Sequence, residues 1–173
     1  MTISEILSNI ENLKAGQKVL LSGTIYTARD AAHKRIIDTL NSGGQCPFDL
    51  VGAAVYYCGP SPAKPGNIIG ACGPTTSARM DVFTPQLLEA GVKILIGKGA
   101  RSKEVCNALA KNKAVYFAAT GGVAALLSKT VVKAEIVAFK DLGAEAVYKI
   151  EVKNMPLTVA ADAGGRQIFI DKR

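Results

Sequence analysis

A chain of 173 residues, 49% apolar and 20% charged, has the size and make-up of one folded domain with its own core. No apolar run reaches the roughly 20 residues of a membrane-spanning helix, and the opening Met1-Thr2-Ile3-Ser4-Glu5 lacks the basic head and apolar block of a secretory signal, so a cytoplasmic protein with no membrane association is expected. The net charge of +7 is scattered, and with no Trp, five Phe and five Tyr there is little to build a base-stacking surface; small anionic ligands or an acidic protein partner account for the basic excess better than nucleic acid.

Ile3, Ile6, Leu7, Ile10 and Leu13 recur at helical spacing and predict an amphipathic helix over 3–14. Thr2 and Glu5 have capping-box spacing, and Gly16 is a stop. Val19–Tyr26 predicts a strand, which runs into Thr27-Ala28-Arg29-Asp30-Ala31-Ala32-His33. Asp30 is placed to cap a helix that buries Ala31, Ile36, Ile37 and Leu40 and stops at Gly43-Gly44. Arg29 therefore falls at a strand-to-helix junction, where open α/β sheets bind ligands. His33, the one histidine, lies four residues on and could face the same cleft, although a lone histidine is more often structural.

Val51–Tyr57 predicts a second strand. Cys58–Gly66 follows, with three prolines and two glycines, and reads as an irregular loop. The apolar run Ile68-Ile69-Gly70-Ala71 then leads into Gly73-Pro74-Thr75-Thr76-Ser77-Ala78-Arg79-Met80-Asp81. Three hydroxyls in a row precede a guanidinium four residues after Thr75. Such a turn can aim a hydroxyl at a ligand while the Arg79 fork grips a carboxylate. Taken alone, Thr-Thr-Ser is better explained as a helix cap.

Thr84-Pro85 reads as a cap and first helical position ahead of Leu87, Leu88 and a stop at Gly91. Lys93–Ile96 predicts a buried strand emptying into Gly97-Lys98-Gly99, where a lysine sits among free backbone N–H groups. That is an anion nest, without the spacing of a Walker loop. Ser102 caps a helix through Val105, Cys106 and Leu109. Val115–Ala118 is a further strand, and Gly121-Gly122 opens a short helix with Leu126 and Leu127. Val131–Phe139 is β-rich and is broken by Asp141–Ala146. Val147–Val152, Leu157–Ala161 and Gln167–Ile170 read as closing strands, the last two joined by Asp162-Ala163-Gly164-Gly165. With no repeat and no linker, residues 1–173 form one domain, a mixed sheet with helices on one side.

Cys46, Cys58, Cys72 and Cys106 include no C-x-x-C pair, which excludes a zinc ribbon or a thioredoxin motif. They are too dispersed for the local grouping of iron–sulfur ligands. Buried thiols in a reducing compartment are the simpler reading.

Three strand ends thus offer Arg29, Thr75 with Arg79, and Lys98. Three cations and a hydroxyl converging on one crevice suit a small dicarboxylate. A strong general base is not visible, since there is no carboxylate pair, HExxH or serine–histidine elbow. The residues read as half of an active site.

These same stretches, with Tyr116-Phe117-Ala118-Ala119-Thr120-Gly121-Gly122 and Ala138-Phe139-Lys140-Asp141-Leu142-Gly143-Ala144-Glu145-Ala146, run through nearly the whole chain in one order. In them the chain resembles the β subunit, or C-terminal domain, of the class I (iron–sulfur) fumarate hydratases and the related L-tartrate dehydratases. The resemblance implies an α/β fold of the swivelling β/β/α three-layer type, with a parallel sheet, an antiparallel sheet and a helical layer. It implies reversible hydration of fumarate to malate by a hydro-lyase active only with an α subunit. A 4Fe–4S cluster would belong to that α subunit, none being held by this chain, and the assembly would be a hetero-oligomer or a homodimer. By motif position, Arg29, Arg79 and Lys98 would bind the substrate carboxylates. Thr75 would stand at the reacting carbon, and His33 would position Arg29 or the threonine. A dehydratase for L-tartrate or another hydroxy-diacid, or a non-catalytic anion-binding domain, would keep the same cradle.

Overall fold

In the computed structural model, which describes residues 1–120 and 124–169, the strand ends named above emerge from one sheet. Its strands are β1 (Lys18–Thr27), β2 (Ala54–Tyr56), β3 (Ile94–Gly97), β4 (Val115–Ala119), β5 (Val131–Ala138) and β6 (Val147–Ala161). Between them lie the helices α1 (Ile3–Ser8), α2 (Asp30–Asn41), α3 (Thr84–Glu89), α4 (Lys103–Asn112) and α5 (Ala124–Ser128), with 3₁₀ turns at Ile10–Asn12, Ser77–Met80 and Lys140–Glu145. The first four strands pair in parallel and in sequence. The last strand runs antiparallel to three partners. Its first half lies between β5 and Gly23–Tyr26 of β1; its second half lies between Lys18–Leu21 of β1 and β4. The order β1-β2-β3-β4-β6 therefore returns to β1 and closes a barrel-like ring, with β5 as a flange. The α/β class and its mixture of parallel and antiparallel pairing stand as expected.

Alternate residues of the central strands enter two separate cores, as the period of a strand requires. Ile94 and Ile96 join Leu21, Ile25, Tyr56, Phe117, Ile150 and Val159 on the inner side, which α1 closes with Ile6. Leu95, Val55 and Tyr116 point outward and meet Ile36 of α2, Leu87 and Leu88 of α3, and Leu109 of α4. Burial on both faces is why these strands read as continuous apolar runs.

Several expected boundaries move. The helix expected over 3–14 ends at Ser8. Asn9 leaves the helical region at φ −122°, and Ile10–Asn12 continues as a 3₁₀ turn. Its capping box forms in both directions, Glu5 N–H to Thr2 Oγ1 at 3.2 Å and Thr2 N–H to Glu5 Oε2 at 2.6 Å. The strands expected at Val147–Val152 and Leu157–Ala161 are one strand of 15 residues. Asn154, at φ +54°, bends it rather than ending it, because β1 pairs on both sides of the bend. Gln167 makes a single bridge to Ala161; Ile170 and the Gly121-Gly122 helix start lie outside the described residues. Among the described residues no helix is long and apolar enough to cross a membrane.

Candidate active site

The Gly73–Asp81 stretch is a turn tied to two strand ends. Thr75 N–H donates to the carbonyl of Tyr57, just past β2, at 2.7 Å. Thr76 bridges to Lys98, just past β3. Its hydroxyls do not cap the 3₁₀ turn that follows, since Thr76 makes no side-chain cap bond. They have other uses. Arg79 folds back over the turn, and its Nη2 donates to Thr75 Oγ1 at 2.9 Å and to Asp30 Oδ2 at 3.1 Å. Ser77 Oγ instead accepts from the backbone N–H of Lys98 at 3.0 Å.

Arg29 arrives from the other side, at the N-cap position of α2. Its Nη2 lies 3.7 Å from Asp30 Oδ2 and 3.5 Å from Glu145 Oε1. One carboxylate, Asp30, thus sits between the two arginines. Asp30 does not cap α2 as expected. It occupies the first turn, and the cap comes from Glu145 Oε2, which accepts from Ala31 N–H at 2.8 Å. The 3₁₀ turn at Lys140–Glu145 delivers that carboxylate from 114 residues away. Gly59 passes so close to Arg29 that a Cβ there would stand 2.8 Å from its Cδ and 2.9 Å from the Ala144 carbonyl. Arg29 Nε is buried with no hydrogen-bond partner among the described residues.

His33 does not reach the cleft. It is fully buried beneath Arg29, with Nδ1 2.8 Å from the Arg29 carbonyl and its ring against Tyr57 and Phe83. A ring nitrogen facing a carbonyl must carry the proton, so Nε2 is the bare nitrogen. Burial pushes the pKa down to about 4, helped by the Arg101 charge and opposed by the Arg29 carbonyl and Asp30. Lys98 stands exposed at the end of β3. The structure therefore joins Arg29 and Arg79 through Asp30, ties Thr75 to Arg79, sets Lys98 beside Thr76, and places His33 one layer below.

Beneath this group lies a polar cluster that the sequence does not announce. Arg101, with its side chain 0% exposed, donates from Nε to Asp81 Oδ1 at 2.7 Å, from Nη2 to Thr84 Oγ1 at 2.7 Å and from Nη1 to Tyr57 Oη at 3.3 Å. Its guanidinium stacks on Tyr57 and Tyr116 at 5.3 and 4.9 Å. Burial alone opposes its charge, and Tyr57 and Asp81 outweigh that, leaving it more basic than usual. Asp81 Oδ2 also takes the N–H of Ser102, the N-cap of α4. Asp81 closes the Gly73–Asp81 motif and had no role in the sequence reading; that unexplained carboxylate was the available signal.

The cysteines do not fit an iron–sulfur cluster. Cys58 and Cys72 face each other in the inner core with Sγ atoms 3.1 Å apart, whereas Cys46 packs against the outer core and Cys106 is on α4. Among the described residues no group of three or more His, Cys, Asp or Glu is placed to hold a metal ion.

A family model described as Fumarase C-terminus matches residues 1–172. The chain belongs to the Fumarase C-terminus family. It is 41% identical to a provisionally named L(+)-tartrate dehydratase subunit beta of Methanocaldococcus jannaschii, over 93% of this chain and 86% of that protein. It is also 34% identical to the aerobic class I fumarate hydratase of Escherichia coli K12 and 35% identical to fumarate hydratase 2 of Leishmania major. Those matches cover 96% of this chain but only 31% and 30% of the two fumarate hydratases, so the chain spans under a third of their length.

Proposed function

We propose that this chain is the β subunit of a two-chain hydro-lyase that reversibly hydrates fumarate to malate, supplying the basic cradle for the dicarboxylate and a threonine at the reacting carbon. The observation that carries this reading is Arg79 Nη2 held 2.9 Å from Thr75 Oγ1 and 3.1 Å from the carboxylate that also faces Arg29. A threonine hydroxyl is a weak acid and a weak base. A guanidinium donating to its oxygen stabilises the alkoxide, which brings proton transfer within reach. In the dehydration direction, Thr75 as alkoxide takes the proton from the carbon beside one carboxylate while the C–O bond of the neighbouring carbon breaks with its electron pair; the departing hydroxide takes the proton from Thr75, which releases water and restores the alkoxide. In hydration it returns that proton. Arg29 and Lys98 hold the carboxylates, and Arg79 serves Thr75 with one edge and the substrate with the other. His33 supports Arg29 from below.

The cradle is open. Arg29, Asp30 and Arg79 side chains are 26%, 39% and 49% exposed. Charges wet to that degree act weakly, and excluding water requires a second surface. An α subunit that closes over these residues and carries the 4Fe–4S cluster meets that need. The near full-length match to a subunit named beta, beside a match to under a third of longer fumarate hydratases, supports the same division.

The relative at 41% identity favours a second reading, L-tartrate as substrate on the same cradle. The test is anaerobic turnover of fumarate and of L-tartrate by this chain with its α partner, against each chain alone and against Thr75→Ala. Turnover only in the mixture, reduced at least about a hundredfold by Thr75→Ala with assembly intact, is expected. Full turnover by Thr75→Ala removes the threonine from the chemistry. Turnover of L-tartrate but not fumarate selects the second reading. A mixture that assembles and turns over neither leaves only an anion-binding domain.

A further inference from the structure

Tyr116 belongs to a stretch shared with the family pattern, yet the chemistry above gives it no task. It is fully buried, and so is Ser77, which stands in the middle of the Thr75–Arg79 turn. Tyr116 Oη lies 2.9 Å from Ser77 Oγ and 2.9 Å from the carbonyl of Gly99. Ser77 in turn brackets Lys98. Its backbone N–H donates to the Lys98 carbonyl at 3.0 Å, and its Oγ accepts from the Lys98 N–H at 3.0 Å. The clasp also explains Gly97, where any Cβ would collide with Ser77 Oγ. Gly99, at φ +85° in open space, is needed for its backbone angle rather than for room.

An exposed lysine on a loop has many rotamers, and its reach is set by where its backbone is fixed. Here two consecutive residues, Lys98 and Gly99, are tied to two buried hydroxyls. One of these, Ser77, lies two residues from Thr75 and two from Arg79. We infer that Ser77 and Tyr116 are positioning residues that lock the Lys98 backbone to the Thr75–Arg79 turn, so that ammonium, hydroxyl and guanidinium present one rigid spacing to a dicarboxylate. Burial holds the Tyr116 phenol protonated, its pKa pushed up to about 12, so the clasp persists throughout the neutral range.

This inference rests on the cradle reading, and a double-mutant cycle separates the two. In the assembled α/β enzyme, KM and kcat for fumarate, or for L-tartrate if that is the substrate, are measured for wild type, Lys98→Ala, Tyr116→Phe and the double variant. Lys98→Ala is expected to raise KM by about tenfold or more. Tyr116→Phe should raise it about fivefold, the scale of one lost hydrogen bond, with kcat within about twofold. In the Lys98→Ala background Tyr116→Phe should then change KM no further. A full fivefold effect of Tyr116→Phe on top of Lys98→Ala overturns the inference while the cradle stands. An unchanged KM in Lys98→Ala overturns the cradle role of Lys98 and the inference with it. Amide hydrogen exchange gives a readout independent of turnover: Tyr116→Phe, or Ser77→Ala if the former does not assemble, should speed exchange at Lys98 while leaving β4 protected. Unchanged exchange at Lys98 overturns the clasp.

Discussion

Two arginines, Arg101 and Arg79, have opposite surroundings. Arg101 is sealed. Each of its three side-chain nitrogens has a partner in Asp81, Tyr57 or Thr84, two aromatic rings flank it, and none of its side chain meets solvent. Arg79 is half exposed, and both of its bonds leave from one nitrogen, Nη2. The same side chain thus does two jobs. Where every donor is satisfied internally, the charge has become architecture. Where the side chain is half exposed, bonds through one nitrogen and shares Asp30 with a second arginine, the charge is available for a ligand. A sealed cation is expected to govern stability and an open one turnover, and substitutions can test that division.

The largest effect belongs to the open side. On the proposed reading, Arg79→Ala in the α/β complex should lower kcat/KM by about a thousandfold, because it would strip both a carboxylate donor and the group proposed to stabilise the Thr75 alkoxide. Its unfolding free energy should stay within about 0.5 kcal/mol of wild type. Steady-state kinetics beside urea unfolding checks both halves. A large stability loss in Arg79→Ala would erase the contrast with Arg101. The sealed side should answer in reverse. Asp81→Ala leaves Arg101 buried without its counter-charge and removes the acceptor for Ser102 N–H. Breaking a buried pair from one side costs roughly 3 kcal/mol or more, visible as a lower urea midpoint.

How much of this division could be read from sequence depends on distance along the chain. Thr75 and Arg79 are four apart, and their place in one turn was legible, although the bond from Arg79 to Thr75 was not. The strand ends at Arg29 and Lys98 were legible because buried apolar runs stop abruptly there. Arg101 was not. It follows Lys98 by three residues and reads as one more surface cation of an anion nest, until the fold brings Asp81, 20 residues earlier, beneath it. The cap of α2 shows the same limit. Asp30 is the local candidate, but Glu145 takes the place from 114 residues away, which frees Asp30 to sit between Arg29 and Arg79. Barrel closure was equally hidden. Asn154 and Pro156 look like strand breakers, and only pairing with β1 on both sides carries β6 through them.

His33 lies between the two regions, below Arg29 and near Arg101, and its titration sharpens the comparison. Folded, its pKa falls from the ordinary 6.5 to about 4. Between those values the unfolded chain binds the proton and the folded chain does not. Stability is therefore complete above about pH 6.5 and is lost as the pH falls toward 4, by on the order of 3 kcal/mol for this one group. Unfolding of wild type and His33→Phe from pH 7 to pH 4 isolates the effect, since the variant should lack that component of the acid loss. Parallel acid curves would mean that the ring gains a proton without cost and is less sealed than its burial implies.

The smallest effect also belongs to the sealed side and tests whether the two regions are independent. Ser102 caps α4, its Oγ accepting from Val105 N–H at 3.2 Å, and its own N–H rests on Asp81. Ser102→Ala removes the cap bond but keeps the backbone contact to Asp81, so the Arg101 pair survives. The expected cost is about 1 kcal/mol of stability, with KM and kcat unchanged, because the Ser102 N–H keeps its bond to Asp81 and the loop at Lys98 stays held by Ser77 and Tyr116. If so small a change at the helix start moved KM, the clasp at Lys98 would not be rigid. The open cradle would then be coupled to the sealed network instead of merely resting on it.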